Sequence, residues 1–314
     1  MKRRDFLNMS GLLGLSLSFP VSLFSRPYGK AVEESPVNGT DLFLPDMDEL
    51  RKLSGVVPGA LPQKINVTKV ADTIRPASVV VKGESPDRKM TLSRSVYQLV
   101  YPQGTVMLDS GMDLETHRTF GKTEEPYYPE NFNQVEQALG GASLIVLTHY
   151  HADHSAGVIR SEKFDDLAHK VWVSNDTADL LVDHPHKPTV AIDREKVNRF
   201  IVTDFEKYYP LTPGVVIFKT PGHTPDSKML YIRLENGREF IHSVDSGWSM
   251  ENIVKERMKN ASWVSENETQ LMAQYKWLNR IMKTERNVTV LCAHDNEQYN
   301  ELTEKGILGK GLII

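Results

Sequence analysis

Short, mostly apolar runs recur along the chain from residue 144 onward, and a polar residue follows each of them within three positions. The runs cover residues 144–147, 215–218, 240–241 and 288–291. Short, mostly apolar runs of this kind are typical of strands that are buried on both faces. In layered α/β folds the catalytic and binding groups commonly lie on loops fixed by such strands. The polar residues after each run are therefore the candidate functional residues.

Turn and capping patterns predict further elements around these strands. Hairpins are expected at Pro102-Gln103-Gly104 and at Asn236-Gly237, each between two β-rich runs. A helix is expected over residues 130–139, closed by two glycines. The sequence at 265–268 has the pattern of a capping box that opens a second helix. The mixture of strands and helices predicts the α/β class.

The segment 149–154 carries the strongest chemical signal. His149, His151, Asp153 and His154 place three imidazoles and one carboxylate within six positions, directly after a predicted buried strand. His149 and His151 can point one way while Asp153 and His154 turn toward a second metal. Imidazole together with carboxylate suits zinc, and also iron, manganese or cobalt. The spacing therefore predicts metal ligation.

Further candidate ligands follow other predicted strands. His223 lies in a Thr-Pro-Gly-His turn, Asp245 follows residues 240–241, and His294 follows residues 288–291. Since the carboxyl ends of buried strands supply active-site loops, we expect these side chains to join the 149–154 segment.

The other histidines and the cysteine receive structural interpretations. His184 and His186 are flanked by prolines in an irregular loop without a preceding strand, so ligation is not expected there. His117 is isolated and is expected at the surface, whereas His242 is expected to pack beside the site or to support it. Cys292 is the only cysteine, so it forms no internal disulfide and is expected to be buried.

Taken in order, these residues resemble the metallo-β-lactamase superfamily over residues 65–314. The resemblance implies an α/β fold of four layers, an αβ/βα sandwich. It also implies two divalent metal ions, with zinc the first expectation. Under this resemblance one metal is held by His149, His151 and His223, the second by Asp153, His154 and His294, with Asp245 bridging both and Asp109 supporting the ligand loops. Catalytic roles are expected for Asp153, Asp245 and Asp109.

Within that superfamily the chain most resembles the N-acyl homoserine lactonase group. This implies ring opening of a lactone, a small-molecule substrate, by a hydroxide that bridges the two metals. A β-lactamase, a thioesterase like glyoxalase II, or a phosphodiester or sulfate-ester hydrolase remain alternatives, as does a non-catalytic metal-binding protein. No Gly-x-Ser-x-Gly nucleophile elbow is present in the sequence.

Two positions depart from the lactonase pattern. Val244 stands before the bridging acid, where glycine is usual, and Trp248 stands where a carbonyl-orienting tyrosine is common. The indole N–H of Trp248 could donate to a substrate, or the ring could form a wall. The aromatic segment 120–132 could line an acyl pocket or form an ordered loop.

The amino terminus predicts where the protein works. Paired arginines, Phe6-Leu7 and a short apolar run make residues 1–26 resemble a twin-arginine signal peptide, read by the export machinery. Residues 27–64 are interpreted as a linker or arm before the domain at 65–314. We therefore expect a periplasmic enzyme, anchored to the membrane only if the leader is uncleaved. A net charge of −4 without a basic patch argues against a nucleic-acid partner.

Overall fold

The computed structural model describes residues 45–121 and 124–314. The signal peptide predicted for residues 1–26 lies outside the described residues. Within the described part of the chain, no helix has both the length and the apolar character needed to cross a bilayer.

Twelve strands and eleven α-helices are found in the described residues. The strands are β1 Lys64–Pro76, β2 Lys89–Tyr101, β3 Gly104–Leu108, β4 Leu144–Val146, β5 Val171–Ser174, β6 Ile201–Thr203, β7 Tyr208–Thr212, β8 Val215–Lys219, β9 Lys228–Arg233, β10 Glu239–His242, β11 Val288–Leu291 and β12 Gly309–Lys310. The helices are α1 Met47–Leu53, α2 Ala77–Val80, α3 Leu114–Arg118, α4 Pro129–Gly141, α5 Ala152–Ile159, α6 Phe164–Leu167, α7 Asn175–Asp183, α8 Arg194–Val197, α9 Met250–Lys255, α10 Glu268–Thr284 and α11 Asn296–Glu304.

The strands form two mixed sheets. The first contains seven strands in the order β12-β1-β2-β3-β4-β5-β6, and the second contains five in the order β11-β10-β9-β8-β7. Strands β3, β4, β5 and β6 are mutually parallel, as are β10 and β11. Strands β8 and β10 both pair antiparallel with β9, so these two also run in the same direction. Several strand ends therefore fall on common edges of the sheets.

Three hydrophobic clusters hold the layers together. One cluster joins the facing sides of the two sheets, for example through Ile65 and Phe240. A second places Leu139 of α4 against Met107 on the outer face of the first sheet. The third packs α1 and α10 against the second sheet, where Phe218 is fully buried. The described residues thus form the four-layer αβ/βα sandwich that the family resemblance implies.

The structure contains the two predicted hairpins and the predicted helix at 130–139, but it differs from the prediction at the start of α10. The two hairpins form as β2–β3 and β9–β10, and Gly237 turns the second with a φ of 82° that favours glycine. Helix α4 covers the predicted 130–139. The capping box at 265–268 is wrong, because Asn267 caps α10 and accepts from the Gln270 N–H. Glu266 is therefore free of the helix terminus.

Part of the segment interpreted as a linker or arm is folded. Helix α1 lies within residues 27–64, and its Leu50 is fully buried in the cluster around the second sheet. Strand β1 begins at Lys64, the last residue of the segment. This part of the segment thus packs as an arm on the domain.

Candidate active site

Five strand ends bring the predicted residues together at one edge of the sandwich. Strand β4 leads into the segment 149–154, β8 into His223, β10 into Asp245 and β11 into His294, while Asp109 directly follows β3. The backbone fixes these loops through long-range contacts. The Asp109 N–H, for example, donates to the Val146 carbonyl at 2.8 Å.

The side chains at this edge form two groups that share one carboxylate. Potential ligand atoms from the members of each group all lie within 4.8 Å of one another. The first group is His149, His151, His223 and Asp245. The second group is Asp153, His154, His294 and Asp245. The resemblance implies the same two groups, and Asp245 lies at their junction.

Three buried atoms in this cluster make no hydrogen bond. They are Nε2 of His149, Nε2 of His154 and Oδ1 of Asp245. The last two lie 3.3 Å apart. A buried polar atom without a hydrogen-bond partner lowers the stability of the fold by about 1–3 kcal/mol. Three such atoms in one cluster therefore indicate that the cluster binds a further group. Imidazole nitrogens and a carboxylate oxygen are ligand atoms of divalent metals, which makes the donor set fit two metal ions.

Burial and charge set the protonation of the cluster. Burial lowers the pKa of His149 and His151 well below the usual value, which leaves both rings neutral as metal ligands must be. Although burial opposes it, the His294 and His154 rings hold the pKa of Asp245 well below its usual range. His154 differs from His149 and His151, because nearby carboxylates outweigh the effect of burial on its pKa. Burial disfavours its charge, but the carboxylates of Asp245, Asp109 and Asp153 raise its pKa. The cluster therefore stabilises positive charge at its centre.

Asp109 holds two of the neighbouring groups. Its Oδ1 accepts from the Thr148 N–H at 2.8 Å, and its Oδ2 lies 2.7 Å from Nδ1 of His154. The Asp109 backbone has a φ of 63°, which a residue with a side chain rarely adopts. These contacts fix the His154 ring with Nε2 turned inward, and they match the supporting role predicted for Asp109.

Glu266 and Lys259 support the opposite side of the cluster, and the sequence analysis missed both. Glu266 Oε1 lies 2.5 Å from Nδ1 of His223 and 2.5 Å from Lys259 Nζ. Lys259 also donates to the carbonyl oxygen of Asp245 at 2.7 Å. The only sequence signal was an acid near a helix start, which we assigned to a capping box.

Arg94 of β2 is a third missed residue. Its guanidinium donates to Oδ2 of Asp153 and stacks on the Phe120 ring, 4.7 Å from the centroid. Although burial opposes ionisation, the Arg94 charge holds the pKa of Asp153 low. A permanent positive charge therefore lies beside the second group. Nothing in the alternating pattern of β2 marked this position.

Three histidine predictions can be compared with the structure. His117 is 2 % exposed, so the surface prediction is wrong. His242 is buried, and its Nδ1 accepts from the Val244 N–H at 3.0 Å, consistent with the packing role expected. His186 is not remote from the site, because its ring stacks on His151 with centroids 3.9 Å apart.

The two aromatic features have different surroundings. Trp248 packs on a small apolar cluster with Val80 and Leu92, and Lys259 Nζ lies 5.1 Å from the centre of its ring. The Trp248 ring therefore packs on the side of the cluster where Lys259 lies. In the described part of 120–132, Phe120 borders the site. Tyr128 points away from it and donates to Asp72 at 2.6 Å.

Comparisons with known proteins agree with this architecture. A family profile described as the metallo-beta-lactamase superfamily matches residues 91–237. An N-acyl homoserine lactonase of Bacillus thuringiensis is 20 % identical over 244 residues, covering 70 % of this chain and 88 % of the relative. Another N-acyl homoserine lactonase, from a Bacillus species, is 22 % identical over 233 residues and covers 68 % and 86 %.

Solved structures show the same fold at low sequence identity. A quorum-quenching N-acyl homoserine lactone lactonase superposes with a TM-score of 0.60 at 19 % identity, covering 78 % of this chain and 97 % of the other. AidC, a dizinc quorum-quenching lactonase, gives a TM-score of 0.56 at 12 % identity, with coverage of 75 % and 89 %.

Proposed function

We propose that this chain, a metal-dependent hydrolase of the metallo-β-lactamase superfamily, opens the rings of lactones of the N-acyl homoserine lactone type. The proposal includes two zinc ions, one held by each of the two side-chain groups. Support for the substrate comes from two relatives that are N-acyl homoserine lactonases. This chain matches 88 % and 86 % of their lengths. Support for the metals comes from the chain itself.

One observation carries the proposal. Seven side chains that follow four strand ends converge into two groups that share Asp245, and three of their buried atoms make no hydrogen bond. A cluster without a cation would bury carboxylates and imidazoles at a considerable desolvation cost. The arrangement is therefore explained by bound metal.

The chain's own residues prepare this site for hydrolysis. Two bound metals would polarise a carbonyl and lower the pKa of a water molecule. Asp245 is placed between the two groups. Asp109 and Glu266 fix the rings of His154 and His223 from outside, which holds their inner nitrogens toward the centre. The chain needs no side-chain nucleophile, in agreement with the missing nucleophile elbow.

The three carboxylates predicted as catalytic have different surroundings. Asp153 and Asp245 face the centre of the cluster, and their low pKa values keep them ionised, as ligands or proton acceptors. Asp109 lies outside both groups and contacts the site only through His154 and Thr148. We propose direct roles for Asp153 and Asp245 and a positioning role for Asp109.

A second candidate activity is hydrolysis of a phosphodiester or a sulfate ester. The Arg94 guanidinium favours it, because a positive charge beside the second group would stabilise an anionic substrate. Asp153 already pairs with Arg94, however, so most of that charge is balanced within the protein. A neutral lactone therefore fits the site better.

A substrate panel tests the proposal. Zinc-loaded protein is assayed with lactones, β-lactams, thioesters and phosphodiesters at equal concentration, with Asp245→Asn as the inactive control. We expect kcat/KM to be highest for a lactone and to rise with acyl length, since each buried methylene contributes about 0.8 kcal/mol. A higher kcat/KM for any other ester or for a β-lactam would contradict the lactonase assignment.

We further propose that the protein works in the periplasm after twin-arginine export. The support is the sequence of residues 1–26 alone. That route carries folded proteins, which suits an enzyme that binds its metals before export.

A further inference from the structure

His186 is held at the rim of the cluster by aromatic contacts. It lies in the loop after α7, and its ring stacks on His151 with an interplanar angle of 27°. The Phe120 and Tyr150 rings contact it edgewise, with centroids at 5.5 and 6.1 Å. These contacts leave the imidazole little freedom to rotate.

One hydrogen bond fixes the tautomer of this ring. The Ala152 backbone N–H donates to Nδ1 of His186 at 3.1 Å. A backbone N–H can only donate, so Nδ1 is the acceptor and carries no proton. A neutral imidazole has one N–H and one lone pair, so the proton lies on Nε2.

This tautomer decides between metal ligation and hydrogen-bond donation. Ligand atoms of His151, Asp153 and His186 lie within 4.8 Å of one another, which by distance alone would allow a third metal. A ligand must offer a lone pair, however, and the lone pair of His186 is engaged by Ala152. What remains for the site is the Nε2–H, a neutral donor.

The partial exposure of His186 places its ring on the open side of the cluster. His186 is partly exposed, whereas Asp153 beside it is only 6 % exposed. The Nε2 atom is not among the buried atoms that lack a hydrogen bond in the described residues. A substrate that approaches the cluster from solvent therefore meets His186 beside the ligands.

We propose that the Nε2–H of His186 donates a hydrogen bond to the substrate's carbonyl oxygen as negative charge develops on it. His186 would then be a further catalytic residue, acting without proton transfer. Removal of one such donor from an oxyanion site lowers turnover by about 100-fold or more. This inference rests on the proposed hydrolase function.

A purely structural role is the competing explanation. Ala152 is the first residue of α5, and the first N–H groups of a helix have no partner within the helix. His186 would in that case only cap α5. The two roles use different ring nitrogens, so two amide substitutions separate them. The Asn side-chain oxygen can replace Nδ1, whereas the Gln amide can replace Nε2–H.

The experiment compares His186→Asn, His186→Gln and a control, His184→Gln, at an exposed position of the same loop. A catalytic donor predicts that the Asn variant loses about 100-fold in kcat while the Gln variant stays within about tenfold of wild type. Zinc content should remain near two per chain in all three variants. The Gln variant should have the lower Tm, since it loses the contact to Ala152.

Three results would overturn the inference. They are an Asn variant as active as wild type, a Gln variant less active than the Asn variant, and loss of zinc from either. ¹⁵N NMR of the wild-type protein gives a readout independent of turnover, and a proton on Nδ1 of His186 would also contradict it. If wild type hydrolyses another ester instead of lactones, the proposed substrate fails. The variants are then compared on that ester.

Discussion

Glu266 Oε1 lies 2.5 Å from Nδ1 of His223, so a carboxylate from the loop before α10 orients a ring of the first side-chain group. The same carboxylate pairs with Lys259, which is 5 % exposed. A carboxylate behind a ligating imidazole fixes the ring's tautomer and raises its basicity.

Glu266→Gln should therefore weaken metal binding to the first group by about 10- to 100-fold. The amide keeps the shape but loses the charge that balances Lys259 and supports His223. Competition with a chromophoric zinc chelator measures the affinity. Glu268→Gln, an exposed position two residues later, is the control and should bind zinc as wild type does. Equal affinities for the two variants would refute the role of Glu266.

At Val244, replacement by glycine is expected to destabilise the fold less than replacement by alanine, the reverse of the usual order. Its φ of 49° is strained for a β-branched residue, and its side chain is buried in the core between the sheets. Both Val244→Ala and Val244→Gly lose core contacts, but only glycine removes the strain. We expect Val244→Gly to be more stable than Val244→Ala by about 1 kcal/mol.

Urea denaturation of both variants tests this order. Val215, a buried residue of β8, provides the matched control, because there alanine should be the more stable replacement. Finding alanine more stable than glycine at position 244 as well would show that the backbone there carries no strain.

The buried Lys228 is expected to raise the free energy of unfolding at alkaline pH. Its ammonium is buried and donates to Ser174, Thr177 and the Asp226 carbonyl, and burial lowers its pKa from 10.5 to about 8. Below pH 8 both the folded and the unfolded chain hold the proton. Between pH 8 and 10.5 the unfolded chain still holds the Lys228 proton while the folded chain has lost it. The contribution of Lys228 to the free energy of unfolding therefore rises by about 3 kcal/mol over this range.

The comparison of wild type with Lys228→Met isolates this contribution. The variant is expected to be less stable at neutral pH, since three hydrogen bonds lose their donor. The difference in unfolding free energy between wild type and variant should grow in favour of wild type from pH 8 to 10. A difference that stays constant over this range would show that Lys228 does not titrate there.

Export is predicted from residues outside the described part of the chain. Arg3→Lys combined with Arg4→Lys should leave the precursor in the cytoplasm, because the arginine pair is an address that the export receptor reads. Cell fractionation with an antibody against the mature domain measures the distribution. Recovery of the double variant from the periplasm at wild-type level would remove the twin-arginine proposal.

Local patterns in the sequence predicted the α/β class and marked the seven clustered residues as candidates, whereas the four-layer fold and the division into two groups came from the family resemblance. The segment 149–154, the turn at Asn236-Gly237 and the acids and histidines after buried strands each carry their signal within a few positions. Their convergence follows from strand direction, since the carboxyl ends of β3, β4, β8, β10 and β11 meet at one edge.

The supporting residues could not be predicted in the same way. Arg94 reaches Asp153 across 59 positions, and Glu266 reaches His223 across 43. His186 reaches the site because its loop folds back over α5, although no strand precedes it. Such contacts depend on tertiary packing, and a charged residue in a strand or a histidine between prolines has no local pattern that reveals its partner.

Zinc titration of the metal-free protein tests the central claim most directly. The protein is chelated, and hydrolysis of an N-acyl homoserine lactone is followed by proton release as zinc is added. We predict no hydrolysis without metal and a rate that saturates at two zinc ions per chain. Full activity without metal, or no lactone hydrolysis with two zinc ions bound, would contradict the account.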